Sequence, residues 1–179
     1  PRSTVNSDIA FIYLSSIKVN GEETRLHSFR HDDPPAPTDS YGISKLEAER
    51  GLQRLAATSG MEIVIIRPPL VYGPGVKANF QMMMRAIVAG FPLPLGAIDN
   101  QRSLVAVENL VDLIATCVEH PAAANRIFLV ADGEDMSTPE LLRRLGVALG
   151  KPARLFAVPV PLLWAGARML GKQDIARRL

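Results

Sequence analysis

A chain of 179 residues, 47% of them hydrophobic, is long enough to bury a core of its own, which excludes a disordered or fibrous class. Lys and Arg number 20 against 18 Asp and Glu, and the net charge of +2 is interspersed apart from Arg177 and Arg178, so no nucleic-acid partner is expected. The single cysteine, Cys117, cannot staple a fold and sits in the apolar pattern VDLIATCVEH as a small buried hydrophobe, which fits a reducing cytoplasm.

In chain order, IAFIYL (Ile9 to Leu14) is a continuous apolar run, the pattern of a strand buried on both faces of a parallel sheet. The proline-rich HDDPPAPTD (His31 to Asp39) reads as a surface loop that rims a site. A helix follows, with Ser40 as N-cap, Glu47 and Glu49 in its early turns, apolar positions at Ile43, Leu46, Leu52 and Leu55, and Gly60 as the stop. MEIVIIR (Met61 to Arg67) is a second buried strand, so strand, helix and strand make a parallel crossover. Helices are predicted over Asn79 to Ala89, Val107 to His120 and Thr138 to Leu149, the last opening on STPE. Strands are predicted near Leu93 to Leu95, Ser103 to Val105, Arg126 to Ala131 and Arg154 to Phe156. The alternation argues an α/β fold. The QMMMR run and Trp164 read as core packing.

The longest uncharged stretch, LFAVPVPLLWAGA, is 13 residues and interrupted by prolines, too short to span a bilayer. His27, His31 and His120 have no metal-ligand spacing with acids or the cysteine, and no metal is expected. The chain starts at Pro1 without an initiator methionine and ends in a basic helical pattern without a stop signal, so a piece of a longer protein is expected.

Ser15 and Ser16 follow the first strand at its carboxyl end, where open α/β sheets place their sites. Tyr41 and Lys45 lie four residues apart at the start of a helix and share one face. A phenol is a poor base at neutral pH, but an ammonium about 5 Å away at an effective dielectric near 20 favours the phenolate by roughly 3 kcal/mol. Taken alone, such a pair is common on helix surfaces.

The two motifs in register, strand-Ser-Ser-x-x-Val-x-Gly and Tyr-x-x-x-Lys beginning 25 residues after Ser16, resemble the extended short-chain dehydrogenase/reductase family, in particular its NAD-dependent nucleotide-sugar epimerases and dehydratases. The resemblance runs from about Ile9 to at least Gly150. It implies a Rossmann-type doubly wound parallel sheet, with residues of about 1–75 and 100–131 in its second half and about 76–99 and 132–179 in a small α/β substrate-binding lobe. It also implies a catalytic group of Ser16, Tyr41 and Lys45, with Ser15 as the alternative to Ser16 by type alone. Tyr41 would exchange the proton of a sugar hydroxyl, Ser16 would hydrogen-bond that oxygen, and Lys45 would hold the nicotinamide ribose.

RPPLVYGPG (Arg67 to Gly75) resembles the family loop past the nicotinamide and sugar, making Pro68 a cofactor contact together with Ser15, Tyr41 and Lys45. Its two prolines stop the strand ladder, while Gly73 and Gly75 let backbone approach a ligand. Where galactose epimerases often carry an asparagine in this loop, Leu70 stands. By the same resemblance Asn79 and Arg102 meet a diphosphate, and Leu93 and Leu95 lie along the base. Arginine suits that task because its planar fork meets phosphate oxygens with two hydrogen bonds. Glu108 and Asn109 read as helix-capping groups.

The implied cofactor is NAD, with NADP possible. The implied partners are a nucleotide-diphosphate sugar, UDP-linked, and a second copy of the chain in a homodimer. None of the 13 glycines forms a G-x-x-G-x-x-G turn after a strand, so the pyrophosphate cradle and the first half of the Rossmann fold are expected to lie outside these residues. Dehydratases of the family carry an Asp-Glu pair after the catalytic Ser or Thr; Ile17 and Lys18 stand here instead, which disfavours dehydration. A 4-epimerase supplying surface-polysaccharide sugars is therefore the leading expectation. A 4-keto-sugar reductase is the alternative, and a non-catalytic nucleotide- or partner-binding protein is the reading of a different class.

Overall fold

The computed structural model describes residues 11–24, 27–76 and 78–169, with the side chains of 78, 79 and 167 outside the description. The chain divides into two compact units, Pro1–Gly73 with Leu104–Asp132, and Pro74–Ser103 with Gly133–Leu179.

The first unit is built on β2 (Ile63–Arg67), all five residues of which are buried. Its run of branched apolar residues is what a strand covered on both faces requires. β1 (Phe11–Leu14) and β5 (Arg126–Leu129) flank it in parallel, in the order β1-β2-β5, with Tyr13 opposite Ile65 and Ile65 opposite Ile127. Between β1 and β2 runs α1 (Ser40–Ser59), which closes on Gly60 in the left-handed conformation. The even positions of β2, Val64 and Ile66, pack with Leu110 and Cys117 of α3 (Val107–Glu119). Its odd positions, Ile63 and Ile65, face Gln53, Ala56 and Ala57 of α1 across a cleft of about 270 Å³. Helices on both faces of a parallel sheet make this an α/β unit.

β1 departs from the expected strand buried on both faces: Phe11 is 45% and Leu14 41% exposed. Among the described residues β1 pairs on one side alone, so its outer edge lacks the cover that β2 receives. Ile9 and Ala10, the start of the expected run, lie outside the described residues. The N-cap of α1 is Asp39 rather than Ser40, its carboxylate accepting the Gly42 amide at 2.7 Å.

A second sheet hides in what the sequence presents as a loop. β3 (Leu70–Tyr72) pairs in parallel with β4 (Leu104–Ala106). Asp132 secures the ends of this sheet, accepting the Tyr72 hydroxyl at 2.8 Å, the Ala106 amide at 3.0 Å and the Asn109 side-chain amide at 2.7 Å. Asn109 is therefore a tie to Asp132 and not a cap; Ala106 occupies the N-cap position of α3. The Asn109 hydrogen bond, with those from Tyr72 and Ala106, outweighs slight burial and holds the Asp132 carboxyl below its ordinary range. At Gly73 the close approach is to protein: a Cβ there would sit 2.5 Å from Cγ1 of Val107.

In the second unit α2 (Ala78–Val88) packs on α4 (Thr138–Ala148), and Phe80 and Ile87 of the one and Leu141 and Leu142 of the other are buried. The segments around Leu93 and Leu155 meet in a single parallel bridge and not a ladder. Pro92 and Pro94 flank Leu93 and remove the neighbouring donors. α5 (Val160–Met169) follows. Trp164 is 42% and Met82 50% exposed, so neither is the core residue the sequence suggests. Among the described residues no helix is long and apolar enough to cross a membrane.

Candidate active site

At the carboxyl end of β1 the chain stays fastened to β2 and its exit. The Ser15 amide donates to the Ile66 carbonyl at 2.7 Å, and the Ile17 amide to the Pro68 carbonyl at 3.0 Å. Pro68 is thus held beside the serines. Ser16 caps a single 3-10 turn, Ile17–Val19, its Oγ accepting the Lys18 amide at 3.3 Å. That bond uses an acceptor lone pair and leaves the hydroxyl proton for another partner. Ser15 is 5% exposed, and its Oγ has no hydrogen-bond partner among the described residues. A buried hydroxyl without a partner costs on the order of 1–3 kcal/mol, so a bound group that reached it would recover that cost.

The 3-10 turn also seats the start of α1. Lys18 Nζ donates to Asp39 at 2.6 Å and to Glu22 at 2.9 Å. Burial works to lower the Lys18 ammonium, but the bonds to Asp39 and Glu22 outweigh it and hold its pKa above the ordinary value. Gly42 lies so close to this turn that a Cβ would stand 2.9 Å from the Lys18 carbonyl oxygen.

Seated in this way, α1 carries Tyr41 and Lys45 to the strand end. Lys45 Nζ donates to the Leu14 carbonyl at 2.9 Å and lies 5.9 Å from the centre of the Tyr41 ring. It lies 4.9 Å from the centre of the Tyr13 ring, so the ammonium sits near two aromatic rings. Tyr41 itself is 51% exposed. Ser15, Ser16, Tyr41, Lys45 and Pro68 therefore gather at one end of the first unit. The cleft between α1 and β2 is at the other end of the strand, beside Ile63, and belongs to a different place.

The remaining expected residues belong to the second unit. The backbone of Asn79 lies in α2, and its side chain is outside the described residues. Leu93 and Leu95 are half-buried, and Leu93 exchanges backbone bonds with Arg154 and Phe156. Arg102 pairs by its backbone with Met136, and burial pushes its guanidinium below its ordinary value.

Sequence reasoning missed Tyr13, Lys18, Asp39, Asn20, Glu49 and Arg67 as groups that shape this end of the unit. For Arg67 a signal existed: a charged residue closing an otherwise apolar buried strand needs a partner.

Residues 2–131 match the NAD dependent epimerase/dehydratase family. The chain belongs to this family. Over 171 residues it is 54% identical to a UDP-glucose 4-epimerase of Vibrio cholerae, covering 94% of this chain and 52% of that relative. It is 28% identical over 153 residues to the N-acetyl-alpha-D-glucosaminyl-diphospho-ditrans,octacis-undecaprenol 4-epimerase of Escherichia coli O157:H7, covering 84% and 46%. The chain thus spans about half the length of the curated relatives it matches. Its fold resembles that of UDP-glucuronic acid 4-epimerase from Bacillus cereus, solved with UDP-glucuronic acid and NAD, at a TM-score of 0.73 and 22% identity over 83% of this chain and 48% of that one.

Proposed function

We propose that this chain carries the proton-handling centre of an NAD-dependent nucleotide-sugar 4-epimerase. The observation that carries the reading is Lys45, fastened to the end of β1 through the Leu14 carbonyl and set 5.9 Å from the Tyr41 ring, beside Ser16.

The residues present fit the nicotinamide end of the cofactor. Lys45 has three ammonium protons, of which Leu14 takes one, so two remain for the ribose hydroxyls. The Ser15 hydroxyl is buried and without a partner among the described residues, and Pro68 lies alongside. The chemistry that NAD supplies when bound is reversible hydride exchange. Tyr41 takes the proton from the sugar 4-hydroxyl and returns it, with Lys45 set beside its ring. Ser16 donates its hydroxyl proton to the same oxygen and so fixes its position. In the second unit the proposal gives Arg102 to the diphosphate and Leu93 and Leu95 to the base, while the Asn79 side chain lies outside the described residues. The 54% identical relative supports a UDP-linked sugar. The proposal includes a homodimer in the cytoplasm, on the family resemblance alone.

The test uses the full-length protein. UDP-glucose and UDP-N-acetylglucosamine are incubated with it without added cofactor, and the sugar is followed by NMR. Appearance of the 4-epimer supports the proposal. Turnover only of a supplied 4-keto sugar with NAD(P)H replaces it with a reductase. Turnover unchanged by Tyr41→Phe removes the proposed centre.

A further inference from the structure

α1 carries a stripe of Tyr41, Lys45 and Glu49, each four residues beyond the last and so on one face. Lys45 reaches the end of β1, and Glu49 reaches the end of the neighbouring strand. The Glu49 carboxylate accepts two parallel bonds from Arg67, the last residue of β2: Nε to Oε1 at 3.0 Å and Nη2 to Oε2 at 2.6 Å. Both side chains are 2% exposed. The other guanidinium nitrogen, Nη1, donates to Asn20 Oδ1 at 2.9 Å, and Asn20 Nδ2 donates to the Arg30 carbonyl at 2.8 Å.

A buried ion pair is a poor source of stability, because desolvating two charges offsets most of their attraction. What it supplies is direction: a two-pronged bond between planar groups tolerates little displacement. Every group in this network adjoins the proposed centre. Glu49 lies one turn beyond Lys45. Arg67 precedes Pro68, whose carbonyl holds the Ile17 amide next to Ser16. Asn20 follows the turn that Ser16 caps. Arg30 immediately precedes the proline-rich segment, which is folded back by the Arg30 amide bonding Asp33 at 2.7 Å and tied to the 3-10 turn by the Ala36 amide bonding the Val19 carbonyl at 3.0 Å.

We infer that Glu49, Arg67 and Asn20 form a positioning clamp. It sets the register of α1 against β2, which places Tyr41 and Lys45 relative to Ser16, and through Arg30 it anchors the proline-rich segment. The catalytic half of this inference rests on the proposed function; the anchoring half does not.

The experiment compares four full-length proteins: wild type, Glu49→Leu with Arg67→Met, Arg67→Lys, and Asn20→Leu. The paired variant removes both charges together, so neither is stranded, and its thermal midpoint is expected within a few degrees of wild type. Hydrogen exchange of the Ala36 amide, measured without substrate, is expected to quicken about tenfold in it and in Asn20→Leu. In the paired variant kcat is expected to fall about a hundredfold with KM within about threefold. Arg67→Lys keeps the charge and loses the fork, and its kcat is expected to fall between the two. A paired variant with wild-type exchange and wild-type kcat overturns the clamp. Should the paired variant fail to fold, Arg67→Lys and Asn20→Leu decide on the same two readouts. If wild type turns over no nucleotide sugar, the proposed function falls; exchange at Ala36 then decides alone, quickened in support and unchanged against.

Discussion

Lys45 donates to the Leu14 carbonyl at 2.9 Å, a bond that spans from the second turn of α1 to the last residue of β1. It joins two residues 31 positions apart in the sequence and fixes where the ammonium stands. Lys45→Met keeps an unbranched side chain, one atom shorter, and removes the charge. Turnover of the full-length protein is expected to drop about a hundredfold or more. Its thermal midpoint is expected to move by only a few degrees, because the bond lies at the surface and water replaces it. Steady-state kinetics with a melting curve checks both.

The adjacent serines are expected to respond oppositely. Ser16→Ala deletes a turn cap and the donor proposed for the sugar oxygen, so kcat is expected to fall by about tenfold to a hundredfold. Ser15→Ala deletes a buried oxygen that has no partner among the described residues, so the free protein is expected to be as stable as wild type or more stable by about 1 kcal/mol. A Ser15→Ala protein clearly less stable than wild type, or a Ser16→Ala protein with wild-type kcat, would contradict the assignment.

Two glycines of α1 make a matched pair. At Gly51 a Cβ meets nothing within 4 Å, so Gly51→Ala is expected to stabilise by about 0.5–1 kcal/mol through helix propensity. At Gly42 it would stand 2.9 Å from the Lys18 carbonyl oxygen and 3.0 Å from Pro37 Cβ. Gly42→Ala is expected to destabilise by about 1–3 kcal/mol despite the same propensity gain, since the start of the helix must lift off the turn. Urea denaturation of both variants reads the sign directly.

Asp132 gives a pH signature. Its folded-state pKa lies below that of the unfolded chain, so the stability it confers is present above the ordinary carboxylate value of about 3.9 and is lost as pH falls through the lower folded value. Asp132→Asn is therefore expected to be less stable than wild type at neutral pH. The gap is expected to narrow as pH falls below the ordinary carboxylate value and to close once the folded-state carboxyl is itself protonated. A gap independent of pH in thermal melts would refute the assignment.

The legible parts of the fold are those written in local sequence. β2 was readable because a central parallel strand is apolar without interruption, and α1 because Gly60 ends it. Ser16, Tyr41 and Lys45 were singled out by resemblance to the family's two motifs, and the fold brings them to one end of the first unit. β3 was not readable, since Pro68 and Pro69 read as a stop and a three-residue strand has too little pattern to contradict them. Asp39 displaced Ser40 as the cap because both residues suit that role, and only the bonds to Gly42 and Lys18 decide between them. The Glu49–Arg67 pair spans 18 residues and joins different elements, a relationship no periodicity encodes. Trp164 illustrates the converse: a large apolar residue suggests a core, yet much folded surface is apolar.

Cys117 packs in the first unit's core against the sheet, and burial pushes its thiol pKa upward. As the sole sulfhydryl in the chain, it makes an internal clock. A thiol reagent reaches it only when α3 lifts from β2, so the labelling rate at rising reagent concentration reports the opening frequency of that core without any engineered probe.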